Sequence, residues 1–141
     1  MGNFMSEKDS RRKALGRQGE DLASAYLQSQ GMTVIKRNHH SGRKELDVIC
    51  AQPVQGGVNI RFVEVKTRQE PVEGQAWEAV NRRKQANMAN AARGYLASDE
   101  FRALGLRCQE IFFDIVTVVW DSGGTSYQLE YIPDAFRMIY V

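Results

Sequence analysis

Apolar residues recur at helical spacing from Arg11 to Gln30, where Leu15, Gly19, Leu22, Ala23, Tyr26 and Leu27 fall on one arc. Ser10 suits the N-cap of this helix, and Gly31 suits the left-handed residue that ends it. Beyond Gly31 the period changes. Residues 32–38 alternate as a strand does, 45–51 read as a second strand and 58–67 as a third, with Pro53 to Gly57 as the turn between the last two. A loop rich in Glu, Pro and Gly over 68–75 leads into a long helix over 76–96, whose apolar stripe is Trp77, Val80, Lys84, Met88, Ala91 and Tyr95. A short helix is expected over 99–104. The run 111–120 is apolar on both faces and belongs inside a sheet, and after a turn at 121–124 residues 125–132 return as an edge strand. The expected fold class is α/β, a single mixed β-sheet flanked by helices in the order α-β-β-β-α-β-β.

Composition changes this picture little. A chain of 141 residues, 43% hydrophobic and 26% charged, suits one domain that buries its own core, here residues 10–141, with 1–9 as a disordered lead-in. Cys50 and Cys108 lie in apolar runs without CxxC spacing and are expected as buried free thiols in a reducing compartment. No run approaches the ~18 apolar residues of a membrane span, and the first nine residues lack the layout of a signal peptide. No membrane partner and a cytoplasmic location are therefore expected. A net charge of +2 says little about nucleic acid, because local clustering matters more. Two clusters exist, Arg11-Arg12-Lys13 and Arg82-Arg83-Lys84, although each also fits an ordinary solvated helix face.

The candidate chemistry sits in two short patterns, Glu45-x-Asp47 and Glu64-x-Lys66. Alternation places Glu45 with Asp47, and Glu64 with Lys66, on one face of their strands. If Gly56 and Gly57 are the two turn residues, Asp47 lies opposite Lys66 with Glu64 diagonal, and all four side chains meet. A slip of one residue would separate them. The flanking Leu46, Val48, Ile49, Phe62, Val63 and Val65 are apolar, so the carboxylates are expected to be buried, which is costly without compensation. A hard divalent ion compensates well, held by carboxylates and a main-chain carbonyl such as that of Val65. Lys66 beside it would orient water or stabilise developing charge. The competing reading is the polar face of an exposed hairpin. Glu20, at the edge of the first apolar arc beside Gly16 and Gly19, is a candidate outer carboxylate. Lys84 interrupts an apolar stripe and Asp114 interrupts the most apolar strand, so both need partners, and each is a candidate for the other. His39 and His40, in a loop after the first strand, are weaker candidates for a phosphate contact.

Together these residues resemble the YraN family of bacterial proteins. The resemblance rests on Gly16-x-x-Gly19-Glu20, Arg37-Asn38, Glu45 to Ile49, Phe62 to Arg68, Lys84, Phe113 to Val116 and Ala135-Phe136, and so spans most of the chain. It departs at Lys44, where the family usually has glycine, and at Phe112, where arginine is common. It implies a restriction-endonuclease-like PD-(D/E)xK fold, related to archaeal Holliday-junction resolvases. It further implies Asp47 and Glu64 as metal ligands, Lys66 as the catalytic lysine and Glu20 as an auxiliary acid. The function expected is a divalent-metal-dependent nuclease that hydrolyses DNA, with structured or branched DNA as the candidate substrate. Asp47, Glu64 and the Val65 carbonyl would hold Mg²⁺ or Mn²⁺, with Glu45 and Asp114 auxiliary. Arg68, Arg82, Arg83, Lys84, Arg11, Arg12 and Lys13 would contact nucleic-acid phosphates. The alternatives are a catalytically silent nucleic-acid-binding module of the same fold and a protein–protein adaptor. Junction-cleaving relatives act as dimers, so the resemblance also implies a homodimer.

Overall fold

The structure, a computed structural model, describes residues 6–72 and 81–137. Helix α1 spans Glu7–Ser29. It starts earlier than expected because Ser6, not Ser10, is the N-cap, accepting from the Asp9 N–H, so that part of the supposed lead-in is helical. Its other end follows expectation. Gly31 has φ 87°, its N–H donates to the Gln28 carbonyl and that of Met32 to the Leu27 carbonyl, the two bonds of a Schellman cap.

Five strands follow in one sheet whose spatial order is their order in the chain: β1 (Thr33–Ser41), β2 (Lys44–Val54), β3 (Gly57–Gln69), β4 (Cys108–Trp120) and β5 (Tyr127–Phe136). All pairs are antiparallel except β3 and β4. That parallel pair needs a crossover, which carries α2 (Arg82–Leu96) and α3 (Asp99–Ala103). Helix, strand and sheet composition therefore match the expected mixed α/β order. The second helix begins at Arg82, after Asn81 as an extended N-cap; the expected helical residues 76–80, with Trp77 and Val80, lie outside the described residues.

The two faces of the sheet bury separate cores. Leu15, Ala23 and Leu27 of α1 pack on Val48, Cys50, Val63, Val116, Val118 and Trp120. Met88, Ala91 and Tyr95 of α2 pack on Leu46, Ile49, Ile60, Phe62 and Phe113. Cys50 is buried, whereas Cys108, at the start of β4, is half-buried; both are free thiols. Among the described residues no helix is long and apolar enough to cross a membrane.

The β2–β3 hairpin turns at Gln55 and Gly56, since Val54 pairs with Gly57. The expected turn at Gly56-Gly57 is one residue late. Gly57 serves a different contact: Val58 N–H donates to the Arg107 carbonyl, and a Cβ at Gly57 would overlap that carbonyl oxygen. The correction shifts the pairing by two, which preserves which side chains of β3 share a face but changes which residue of β2 lies level with them.

A second irregularity matters more. Arg37 pairs with Val48 and His39 with Leu46, without a register shift between them. Yet Val48 belongs to the α1 core and Leu46 to the α2 core. Likewise Arg37 reaches acids of α1, whereas the His39 ring packs edge-on against Tyr95 of α2. Residues two apart on one strand should share a face. Both strands therefore turn over together between these pairs, at Asn38 and Asp47. Asn38 has φ 51°, a left-handed conformation that asparagine tolerates better than most residues. The histidines thus lie within β1 rather than in a loop.

Candidate functional site

β2 and β3 pair as far as Val48 and Val63 and then part. Asp47 fills the gap: its Oδ2 accepts from the Val65 main-chain N–H at 2.8 Å, in place of a strand-to-strand bond. Continuing the ladder places Asp47 level with Glu64, with Lys66 diagonal, the reverse of the expected register. Glu64 and Lys66 do share a face, on the α2 side, because Phe62 lies in that core while Val63 and Val65 pack toward α1.

Glu64 is the centre of the cluster and is 3% exposed. Its Oε1 lies 3.3 Å from Lys66 Nζ and 3.3 Å from Lys84 Nζ. Its Oε2 is buried and, among the described residues, has no nitrogen or hydroxyl donor. Asp47, itself 9% exposed, stands beside it. Burial, followed by the Glu64 charge, pushes the Asp47 carboxyl far above the usual carboxylate range, to about 8; the Val65 N–H lowers it, while a hydrogen bond with the Glu64 carboxyl and the Glu20 charge raise it further. Two carboxyls that close share a proton unless a cation takes its place.

Glu20 approaches from α1. A Cβ on Gly19 would overlap the Thr67 side chain, so the glycine lets α1 close on the end of β3; Gly16 makes no such approach. Burial raises the Glu20 pKa, Arg37 opposes it from 3.8 Å, and Glu45 raises it further. Glu45 therefore stands with Glu20 on the α1 side of the cluster rather than with Glu64, as the turnover at Asp47 requires.

Two expected partners change. Lys84 meets Glu64 and not Asp114. Asp114, fully buried, is held by Arg61 Nη1 at 3.0 Å, the Tyr131 hydroxyl at 2.6 Å and the Asp134 N–H at 2.8 Å. Arg61 lies over the Phe112 ring at 4.2 Å and so supplies from the neighbouring strand the cation that Phe112 does not. The sequence signal for Arg61 is a charged residue two positions from Val63, on a strand face packed against α1.

The basic residues divide. Arg11, Arg12 and Arg68, with Lys8, line a groove of about 840 Å³ between the start of α1, the end of β3 and the β4–β5 turn. Arg11 is partly engaged there, donating to the Gly123 carbonyl. Arg82 lines a separate hollow of about 470 Å³ with Arg93 and Arg137. Lys13 and Arg83 are exposed and line neither.

The residues present fit a divalent ion. Glu64 Oε2 has no nitrogen or hydroxyl donor among the described residues, and Asp47 beside it is an acid whose charge needs compensation. Among the described residues no three His, Cys, Asp or Glu side chains stand together as a ready ligand set. An ion resting on Asp47, Glu64 and the Val65 carbonyl would keep several waters, as Mg²⁺ does.

Fold and site thus define a mixed α/β protein with a buried carboxylate–lysine centre where two strands part. The chain belongs to uncharacterised protein family UPF0102, whose model matches residues 19–118, the family to which the YraN resemblance points. That span holds Glu20, Glu45, Asp47, Glu64, Lys66, Lys84 and Asp114. The UPF0102 protein of Chlorobium limicola is 36% identical over 127 residues, covering 87% of this chain and 92% of its own length. That of Syntrophomonas wolfei is 37% identical over 124 residues, covering 88% and 98%. That of Dictyoglomus turgidum is 34% identical over 124 residues, again covering 88% and 98%.

Proposed function

We propose that the protein is a Mg²⁺- or Mn²⁺-dependent nuclease of the restriction-endonuclease-like, PD-(D/E)xK kind, which hydrolyses phosphodiester bonds in DNA, with structured or branched DNA as its substrate. The observation that carries this reading is the buried Asp47–Glu64 pair, with Lys66 and Lys84 on one Glu64 oxygen and, among the described residues, no nitrogen or hydroxyl donor on the other. Buried polar atoms are normally partnered, and a cation would partner this one.

In this reading Asp47, Glu64 and the Val65 carbonyl would hold the ion, which would supply positive charge where negative charge develops on the phosphate. Asp47 gives up its proton when the site is loaded. Lys66, tethered beside Glu64, donates a hydrogen bond to the attacking water or to a phosphate oxygen. Glu20 and Glu45 accept from waters on the α1 side of the site and orient them. Arg68, Arg11 and Arg12 line the groove between the end of β3 and the start of α1 and would neutralise successive phosphates. A homodimer would present two such centres to a branched substrate.

The test is purified protein with Mg²⁺ or Mn²⁺ on duplex, single-stranded, flap and four-way DNA. Metal-dependent cleavage lost in Asp47→Ala and Glu64→Ala is expected. Cleavage that survives either substitution would sink the site assignment. Salt-dependent binding without turnover on any substrate would leave a nucleic-acid-binding module instead, and neither cation nor nucleic-acid binding would leave an adaptor.

A further inference from the structure

Lys84 is expected from sequence as a phosphate contact beside Arg82 and Arg83, yet its ammonium lies 3.3 Å from Glu64 Oε1. We infer that Lys84 is a metal-displaced residue: it neutralises Glu64 while the site is empty, and moves to a substrate phosphate once a divalent ion takes Glu64. The inference rests on the nuclease reading above and goes beyond it in giving Lys84 two successive partners.

The charges support the exchange. Two lysines face the two carboxyls, so even with both carboxyls ionised the cluster holds as many positive charges as negative. A divalent ion leaves an excess of two positive charges within a few ångströms, in a place shielded from water. One lysine must move away or meet a new anion, and a phosphodiester brings one. Lys66 is poorly placed to leave, since it shares a strand face with Glu64 and its side chain is 17% exposed. Lys84 comes from another element, the first turn of α2, and its side chain is 34% exposed. Its side is the more open of the two. Its main chain stays put, because its N–H donates to the Asn81 cap at 2.9 Å, so the movement is one of side-chain rotamers.

Two measurements test this on the full chain. The first is Mn²⁺ calorimetry without nucleic acid on wild type, Lys84→Met and Lys84→Arg. Methionine suits the apolar stripe on which Lys84 sits. Removing the competing cation should tighten Mn²⁺ binding in Lys84→Met by about three- to tenfold, the range open to a partly exposed charge, and Lys84→Arg should stay within twofold of wild type. The second is binding of a labelled DNA duplex across a salt series, in Ca²⁺ and in EDTA. Lys84→Met should lower the salt slope by about one in Ca²⁺ and leave it unchanged in EDTA, where Lys84 is held by Glu64. A slope that falls equally in both, or Mn²⁺ affinity unchanged in Lys84→Met, overturns the exchange while leaving the nuclease reading in place. A wild type that binds no Mn²⁺ overturns both.

Discussion

Replacing Asp47 by asparagine should stabilise the metal-free protein at neutral and alkaline pH, although it removes a proposed metal ligand. Asparagine keeps an oxygen that accepts from the Val65 N–H and presents an NH₂ donor to the neighbouring Glu64 carboxylate at any pH. It also removes a charge that the site disfavours. In the folded protein the Asp47 carboxyl is raised to about 8 from an ordinary value of 3.8. Folding therefore takes up a proton between those values, so the contribution of Asp47 to wild-type stability is fully present below about pH 4 and is lost as pH rises toward 8. One bound proton corresponds to about 1.4 kcal/mol per pH unit, or at most about 4 kcal/mol between pH 5 and 8. Glu64 shares the proton and the two lysines offset part of the cost, so about half of that, ~2 kcal/mol, is expected. The assay is urea denaturation in EDTA at pH 5, 6, 7 and 8, comparing wild type with Asp47→Asn so that other titrating groups cancel. Wild type should lose about 2 kcal/mol more than the variant across that range, and Asp47→Asn should melt roughly 5 °C higher at pH 8. Parallel pH profiles, or a variant less stable than wild type at pH 8, would refute the reasoning. Mn²⁺ should stabilise wild type at pH 8 and leave Asp47→Asn unmoved.

Three other perturbations probe what positions the site. Gly19→Ala forces a methyl into the Thr67 side chain and should cost about 1–3 kcal/mol; adding Thr67→Ala should recover most of the loss, read by urea midpoints. Asp114→Ala leaves Arg61, whose side chain is 11% exposed, without its partner, and should cost about 3–5 kcal/mol. A double-mutant cycle should show Asp114 coupled to Arg61 and additive with Lys84. Gly57→Ala should destabilise as well, since the methyl meets the Arg107 carbonyl oxygen rather than a movable side chain; an unchanged melting temperature would count against that contact.

Much of the architecture was legible from local pattern. The arc from Leu15 to Leu27, the cap at Gly31 and the alternation of β3 depend on residues within one or two turns of each other, and they appear in the structure where the pattern places them. The Glu64–Lys66 pairing is of this kind, a two-residue spacing on a buried strand. The positions of Asp47 and Glu45 were less legible. Alternation puts them on one face, and β2 breaks alternation at Asp47, opposite the left-handed Asn38 of the neighbouring strand. That Asn38-Arg37 step carried a hint, but its effect falls on a different strand. The paired glycines misled for a similar reason: Gly56 makes the turn, whereas Gly57 answers to Arg107, fifty positions away.

Sequence alone therefore determined the element order, the two apolar faces of the sheet and the presence of buried carboxylates and a lysine on β3, because each follows from a short-range period of side-chain chemistry. Tertiary structure decided that Asp47 enters the gap between two parting strands, that Glu20 comes near it across Gly19 and Thr67, and that Lys84 serves Glu64 while Arg61 serves Asp114. A buried charge must find a partner, and its own strand does not say which neighbour will supply it. That choice belongs to the register and to the approach of the helices, which are set by packing over the whole sheet.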